Sequence, residues 1–502
     1  MSLALRVRAR ALACTVAVAF VAATSLARAD EVTPPPPPPD ASTNEKVPPT
    51  APASAPQPPS AETIPKQPNV GGEFSFGSYG RVVTASDLRG GSGVQSNIVT
   101  HGTRIDESTY AELQLERRDV YPTGAWSKVV STLGIAGPLF HETGDFDAKI
   151  AVRNLYAEAG GMFHDGLTAW VGSRMYRGDD IYLLDWWPLD NLNTVGGGLR
   201  LALDTTSKQA TSFAIHTGMN RPLDPFYFQE RPSSSPTGFG STDVITLDRP
   251  RVIVSEKATH IERIGTDGMG AKFVLYSEQH SISKGTFTTD AGDKQPLPAD
   301  SGLVYGAQLG FFTGHRDTFV NLFVRYATGI AAYGDNTVPT ALSPDKSTMG
   351  AHEFLTAISA NYEVGPFGVL VGGYVRAFKD ASGNPYSRNT YNEGTLTVRP
   401  QVWFLKYLGL ALEGSYQQLA AAGVDDNGNP IRAKEWRFGV IPFITPAGEG
   451  SFTRPHLRVI YAFTHRDDGA RALYAPDDKF YKRNVEHFLG LGVEWWFNSS
   501  YR

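Results

Sequence analysis

The chain ends in an alternating run, Gly490-Leu491-Gly492-Val493-Glu494-Trp495-Trp496-Phe497. Successive side chains of a strand point to opposite faces. Leu491, Val493, Trp495 and Phe497 therefore share one face, and Gly490, Gly492, Glu494 and Trp496 share the other. A soluble sheet hides its apolar face in a core. A strand of a transmembrane barrel turns its apolar face to lipid and its polar face to a wet lumen. A carboxylate beside an indole on one face, with aliphatic and aromatic residues on the other, fits the second arrangement.

The same period recurs along the chain. Ser75, Gly77, Tyr79 and Arg81 oppose Phe74, Phe76 and Val82. Tyr110, Glu112, Gln114 and Glu116 oppose Ala111, Leu113 and Leu115. Thr395, Thr397, Arg399 and Gln401 oppose Leu396, Val398, Pro400 and Val402. Glu413, Ser415 and Gln417 oppose Leu410, Leu412 and Tyr416, and His456, Arg458 and Thr464 oppose Leu457, Val459, Tyr461 and Phe463. Each run has the roughly ten residues that a tilted strand needs to cross a bilayer. Polar, glycine- and proline-rich segments such as Asp224 to Ser241, Gly285 to Ser301, Gly334 to Lys346 and Val424 to Arg432 read as external loops. Residues 70–502, at roughly 24 residues per strand and connection, predict an all-β transmembrane antiparallel barrel of about 18 strands.

The N-terminus reads differently. Arg6, Arg8 and Arg10, an apolar stretch from Ala11 to Ala23, and Ala27-Arg28-Ala29 before Asp30 form a secretory signal over residues 1–29. Cys14, the single cysteine, lies within it, so no disulfide or thiolate chemistry is left after cleavage. Residues 30–69 hold Pro34 to Pro39 in a row and predict a disordered periplasmic linker. With the four arginines of the signal set aside, 42 basic residues face 51 acidic ones, a net of −9. That balance excludes a nucleic-acid partner, which calls for a basic stripe.

Several stretches resemble the maltoporin (LamB-type) family of carbohydrate-specific outer-membrane porins, with gaps, from about Phe74 to Phe497. They are Phe76-Gly-Ser-Tyr-Gly-Arg81, Arg104 followed by Glu107-Ser-Thr-Tyr-Ala-Glu-Leu113, Arg177 to Asp190, Phe323-Val-Arg-Tyr-Ala-Thr328, Thr453-Arg-Pro-His-Leu-Arg-Val459 and Glu494-Trp-Trp-Phe497. The resemblance implies an 18-stranded homotrimer in the bacterial outer membrane, embedded in its lipid. It implies facilitated diffusion of oligosaccharides, maltodextrin-like ones among them, and a third loop folded into the bore. It places a sugar-binding aromatic lane at Tyr79, Tyr110, Tyr305 and Trp496. A polar track and constriction fall at Arg81, Arg104, Glu112, Arg153, Arg177, Asp179, Asp185, Trp187 and Asp190. Tyr305 shares its face with Leu303 and Leu309. One family lane tryptophan falls near Glu393 or Gly394, and the one lent by a neighbouring subunit falls near Asp145 or Phe146.

These residue types suit a sugar. Rings offer flat apolar surface to its C–H face, while Arg and Asp/Glu replace the water that its hydroxyls give up. A hydroxyl left unpaired costs roughly 1–3 kcal/mol, and a repeated ring-and-charge pair keeps successive positions nearly equal in energy. The alternative is a general diffusion porin, in which the same charges only set a transverse field. A barrel enzyme would need a rim pair such as His465 and Asp467. No cofactor or metal is called for: Asp425-Asp426-Asn427-Gly428-Asn429 lacks the glutamate that closes a calcium loop, and Gly196-Gly197-Gly198 precedes a strand.

Overall fold

The structure, a computed structural model, describes residues 72–499 except 146–148, 204–207, 223–225, 228, 235–240, 247–248, 265–267, 289–290, 314–317 and 426–427. The expected signal (1–29), the linker (30–69) and Phe146 lie outside the described residues.

Among these, 18 strands form one antiparallel sheet. They are β1 (Gly72–Ser86), β2 (Tyr110–Val120), β3 (Trp126–Ala136), β4 (Lys149–Gly160), β5 (Leu167–Arg177) and β6 (Asn191–Leu203). Then come β7 (Gln209–Asn220), β8 (Arg251–Ile264), β9 (Met269–Ile282), β10 (Asp300–Thr313), β11 (Thr318–Gly329) and β12 (His352–Val364). The last six are β13 (Phe367–Lys379), β14 (Tyr391–Leu405), β15 (Leu408–Val424), β16 (Pro430–Ile444), β17 (His456–Arg466) and β18 (Val485–Phe497). β18 returns to β1, from Ser78 opposite Phe497 to Ser86 opposite Leu489, and so closes the barrel. Closure gives the first and last strands a partner on both sides, which an open sheet could not achieve in the bilayer.

Short turns, such as Lys406-Tyr407 between β14 and β15, alternate with long loops, such as 87–109 and 178–190. In barrels of this kind short turns face the periplasm and long loops face outward. Two segments read as plain loops contain small hairpins, Gln229–Ser234 with Ser241–Thr246 and Gly285–Thr288 with Lys294–Leu297.

The period-two expectation holds on the wall. Leu113, Leu115, Leu396, Leu412, Leu457 and Leu491 are exposed on the outer face, while Glu112, Gln114, Thr397, Glu413 and Glu494 are buried inside. Phe76 and Phe497 pack 5.7 Å apart near the short-turn end, where an interfacial aromatic belt belongs. Tyr305 contradicts its expected place in the lane. It faces outward at 52% exposure, directly across from Tyr326 on β11. Strand register decides this: the inward residues of β10 are Val304, Gly306 and Gln308, so Tyr305 must share the lipid face with Leu303 and Leu309.

The bore is filled by its own loops. Loop 178–190 carries Ile181, Leu184, Trp186 and Leu189 onto inward apolar residues of β9 and β11–β13, among them Val274, Phe323, Leu355 and Tyr374. Burying each large side chain stabilises the docked loop by roughly 1.5–3 kcal/mol before ordering costs. Loop 87–109 crosses to the wall further round. The Ile98 amide donates to Gln417 at 3.0 Å, the Thr100 amide to Glu393 at 2.9 Å, and Arg437 donates to Asp106 at 2.8 Å. From the short-turn end, segment 445–455 also folds inward: Phe452 meets Tyr182 at 5.7 Å between ring centres.

Candidate functional site

Register assembles the site on β2, β1 and β18. Tyr79 lies between Glu112 and Trp496, and Arg81 between Tyr110 and Glu494. Two rows, each spanning three strands, thus place three aromatic rings and three ionic groups on one inward patch. Loop 178–190 supplies the opposing face. Its conformation depends on two backbone features. Gly178 has no room for a side chain, because a Cβ there would sit 1.8 Å from Asp190 Oδ1. Asp185 adopts the left-handed conformation (φ 49°, ψ 45°), which ends the turn Tyr182–Leu184 and lets the Ile181 amide close on the Trp186 carbonyl at 2.7 Å.

Trp187 then packs on Tyr79, with Tyr110 and Trp496 half-buried beside them. Tyr79 and Tyr110 are 6.2 Å apart and tilted by 48°. Three of the four rings have a cation over them: Arg177 over Trp187 at 3.9 Å, Arg454 over Trp496 at 3.9 Å and Arg81 over Tyr110 at 5.4 Å. The Tyr79 hydroxyl, fully buried, accepts from Arg104 at 2.6 Å and from Arg81 at 2.9 Å.

The expected polar track meets the same loop. Arg81 pairs with Asp185 at 3.3 Å, Arg104 with Glu107 and Glu494 at 2.9 Å each, and Arg153 with Glu112 at 3.5 Å. Asp179 takes Lys272 at 2.7 Å, and Asp190 takes Lys257 at 2.5 Å. Of the four lane and nine track residues expected, Tyr305 faces outward, and the other twelve sit on loops 87–109 and 178–190 or on strands β1, β2, β4, β5 and β18. Glu393, which with Gly394 marks where the resemblance puts a lane ring, points inward and pairs with Arg376 at 3.4 Å.

Several contributors were missed. Tyr182 donates to Glu494 at 2.8 Å, and Arg454 meets the same carboxylate at 3.0 Å. Lys257 and Lys272 anchor the loop. The lysines lie on inward positions of β8 and β9 that the alternation could have flagged. Arg454 had no such signal, since it sits in a turn. A second aromatic group, Tyr156, Trp170, Tyr176 and His216, lies on β4, β5 and β7, with Arg174 over Tyr156 at 4.5 Å.

Outward of the constriction, a cavity of about 400 Å³ is lined by His101, Trp186, Glu278, Arg325, Glu353 and Arg376, among others. The His101 ring stacks on Trp186 at 4.2 Å and 12°. Burial, and then the positive charges of Arg376 and Arg325, pull its pKa down to about 3. At the rim, Asp467 Oδ1 accepts from the Ala470 amide at 2.8 Å and the Lys434 amide at 3.0 Å, so it caps a short helix.

A model of the LamB porin family matches residues 74–497. No curated protein matches the chain. Among solved structures, OccAB1 of Acinetobacter baumannii is 12% identical over 85% of this chain and 97% of its own, with a TM-score of 0.41. OpdK of Pseudomonas aeruginosa, solved with vanillate, is 10% identical over 85% and 98%, with a TM-score of 0.39. OmpT of Vibrio cholerae, described in a trimer form, is 10% identical over 85% and 99%, with a TM-score of 0.37.

Proposed function

The chain belongs to the LamB porin family and is an outer-membrane channel, and from that premise we propose that it is selective for oligosaccharides. The observation that carries this reading is the apposition of Trp187 to Tyr79, flanked by Tyr110 and Trp496, with a guanidinium over three of the four rings. A sugar threading between β2 and loop 178–190 meets ring surface on its C–H face. It meets Arg and carboxylate groups at its hydroxyl rim. Each contact is charge-assisted yet shared with a protein partner, so exchange costs little and release stays fast.

Liposome swelling tests the reading. With Tyr110→Ala and Trp496→Ala, uptake of a trisaccharide should fall by roughly tenfold or more, the scale of losing two stacked contacts, while uptake of a small solute of one ring changes little. Equal effects on both solutes would refute selectivity.

One observation favours the second reading, a general diffusion porin. Tyr79 is fully buried and Trp496 is covered by Arg454, so these rings also serve to shape the constriction. The same swelling experiment separates the two readings. The homotrimer belongs to this proposal and is checked by the mass of the detergent-solubilised complex. Export through residues 1–29 is checked by whether the mature chain starts at Asp30.

A further inference from the structure

The pairing of β4 with β5 stops short. Its last rung is Leu155 opposite Ser173. Yet β4 continues against β3 as far as Lys149 opposite Ala136, and β5 against β6 as far as Arg177 opposite Asn191. The two strands therefore part over their outer halves. The Met175 amide donates to Asn154 Oδ1 at 2.9 Å at the point of the fork. A bulge contributes, since Arg153 is the residue skipped between the rungs Thr132–Asn154 and Leu133–Val152.

A cavity of about 660 Å³ occupies this fork. Arg153, Arg174, Arg177 and Arg221 line it, and among the described residues lining it there is no carboxylate. The cavity over the constriction differs: Glu278, Asp335 and Glu353 there face Arg325 and Arg376. The positive excess is thus local to the fork. The carboxylates that reach Arg153 and Arg174 are already shared. Glu112 takes Arg153 at 3.5 Å and also the Tyr110 hydroxyl. Glu158 takes Arg174 at 3.6 Å and Lys128 at 3.3 Å. The fork also adjoins the lane, because Arg177 covers Trp187.

We propose that this fork binds the oxyanion of an acidic saccharide, one bearing a carboxylate or a phosphate group, while its rings lie against Tyr110. The proposal rests on the reading of the chain as a saccharide channel and names the class of sugar it favours. Guanidinium groups grip oxyanions through paired N–H donors. The Arg153 and Arg174 side chains keep 29% and 24% of their surface exposed, so water competes and the grip stays weak enough for release. A neutral sugar gains only the ring contacts.

The test is current block of the full-length protein in planar bilayers. The probes are maltotriose, trigalacturonate, glucose, glucose 1-phosphate and inorganic phosphate. The acidic member of each sugar pair should block at a concentration lower by roughly tenfold, the scale of one charge-assisted contact. Arg174→Gln with Arg221→Gln should remove that advantage, and Arg174→Lys with Arg221→Lys, which keeps the charge and loses the paired donors, should restore part of it. If maltotriose blocks and trigalacturonate blocks no better, the fork proposal fails and the sugar reading stands. If no sugar blocks, the sugar reading itself fails and takes the fork with it. If inorganic phosphate blocks as well as glucose 1-phosphate, or the Gln pair keeps the full advantage, the assignment of an acidic-sugar site to these arginines is overturned.

Discussion

Arg454, from the periplasmic turn, lies over the ring of Trp496 at 3.9 Å while its Nε donates to Glu494 at 3.0 Å. A residue from one end of the barrel thus covers a ring of the lane. It also contacts the Tyr182 hydroxyl from the loop that enters at the other end. The constriction is therefore a joint between two inward folds, not a narrowing of the wall alone.

Arg454→Ala should uncover Trp496 and loosen that joint. Single-channel conductance is expected to rise, on the order of twofold, since a large side chain leaves the joint between the two inward folds. Unchanged conductance would mean that the ion path runs elsewhere.

Glu494 is fully buried, with Arg104 at 2.9 Å and Arg454 and Arg458 at 3.0 Å. Removing the shared acid leaves three guanidinium groups without it. Glu494→Ala should cost about 3–5 kcal/mol, as breaking a buried ion pair does. Leu491→Ala on the lipid face should cost less. Urea unfolding followed by the heat-modified shift in gel mobility compares the two.

How far the sequence revealed this arrangement differs by element. The inward faces of β1, β2, β14, β15 and β18 were legible because lumen water demands polar residues there and lipid demands apolar ones opposite. The walls of β9 and β11–β13 were less so. Val274, Phe323 and Leu355 point inward although apolar, because loop 178–190 shields them from water, and period two alone cannot see a loop. Tyr305 departs for the converse reason: the family position puts it in the lane, while Leu303 and Leu309 on the same face put it toward lipid. The docking of segment 445–455 leaves no periodic trace, as its contacts come from single side chains, Phe452 and Arg454 among them, in an irregular turn.

Gly178→Ala should disturb the constriction without unfolding the barrel. The added methyl would displace Asp190, which meets Lys257 at 2.5 Å. We expect noisier current and weaker sugar block, with the unfolding midpoint nearly unchanged. A quiet channel with wild-type block would show that the loop adapts around the methyl.

His101 gives loop 87–109 a pH dependence. Its pKa in the docked loop is about 3, below the value near 6.5 of a free imidazole. The undocked loop therefore binds the proton more readily, and docking weakens as pH falls from about 6.5 toward 3. Protease cleavage within 87–109 should be faster at pH 5 than at pH 7.5. His101→Phe should abolish the difference; an equal difference in that variant would assign it to another group.

The central claim is that saccharides pass a lane of rings and charges at this constriction. It is tested most directly by current through the wild-type channel as neutral oligosaccharides of rising length are added. The account predicts saturable block that tightens from one ring to three, as more of the lane is engaged, and that weakens in Tyr110→Ala. Current that ignores every oligosaccharide, or falls only in proportion to viscosity, would contradict it.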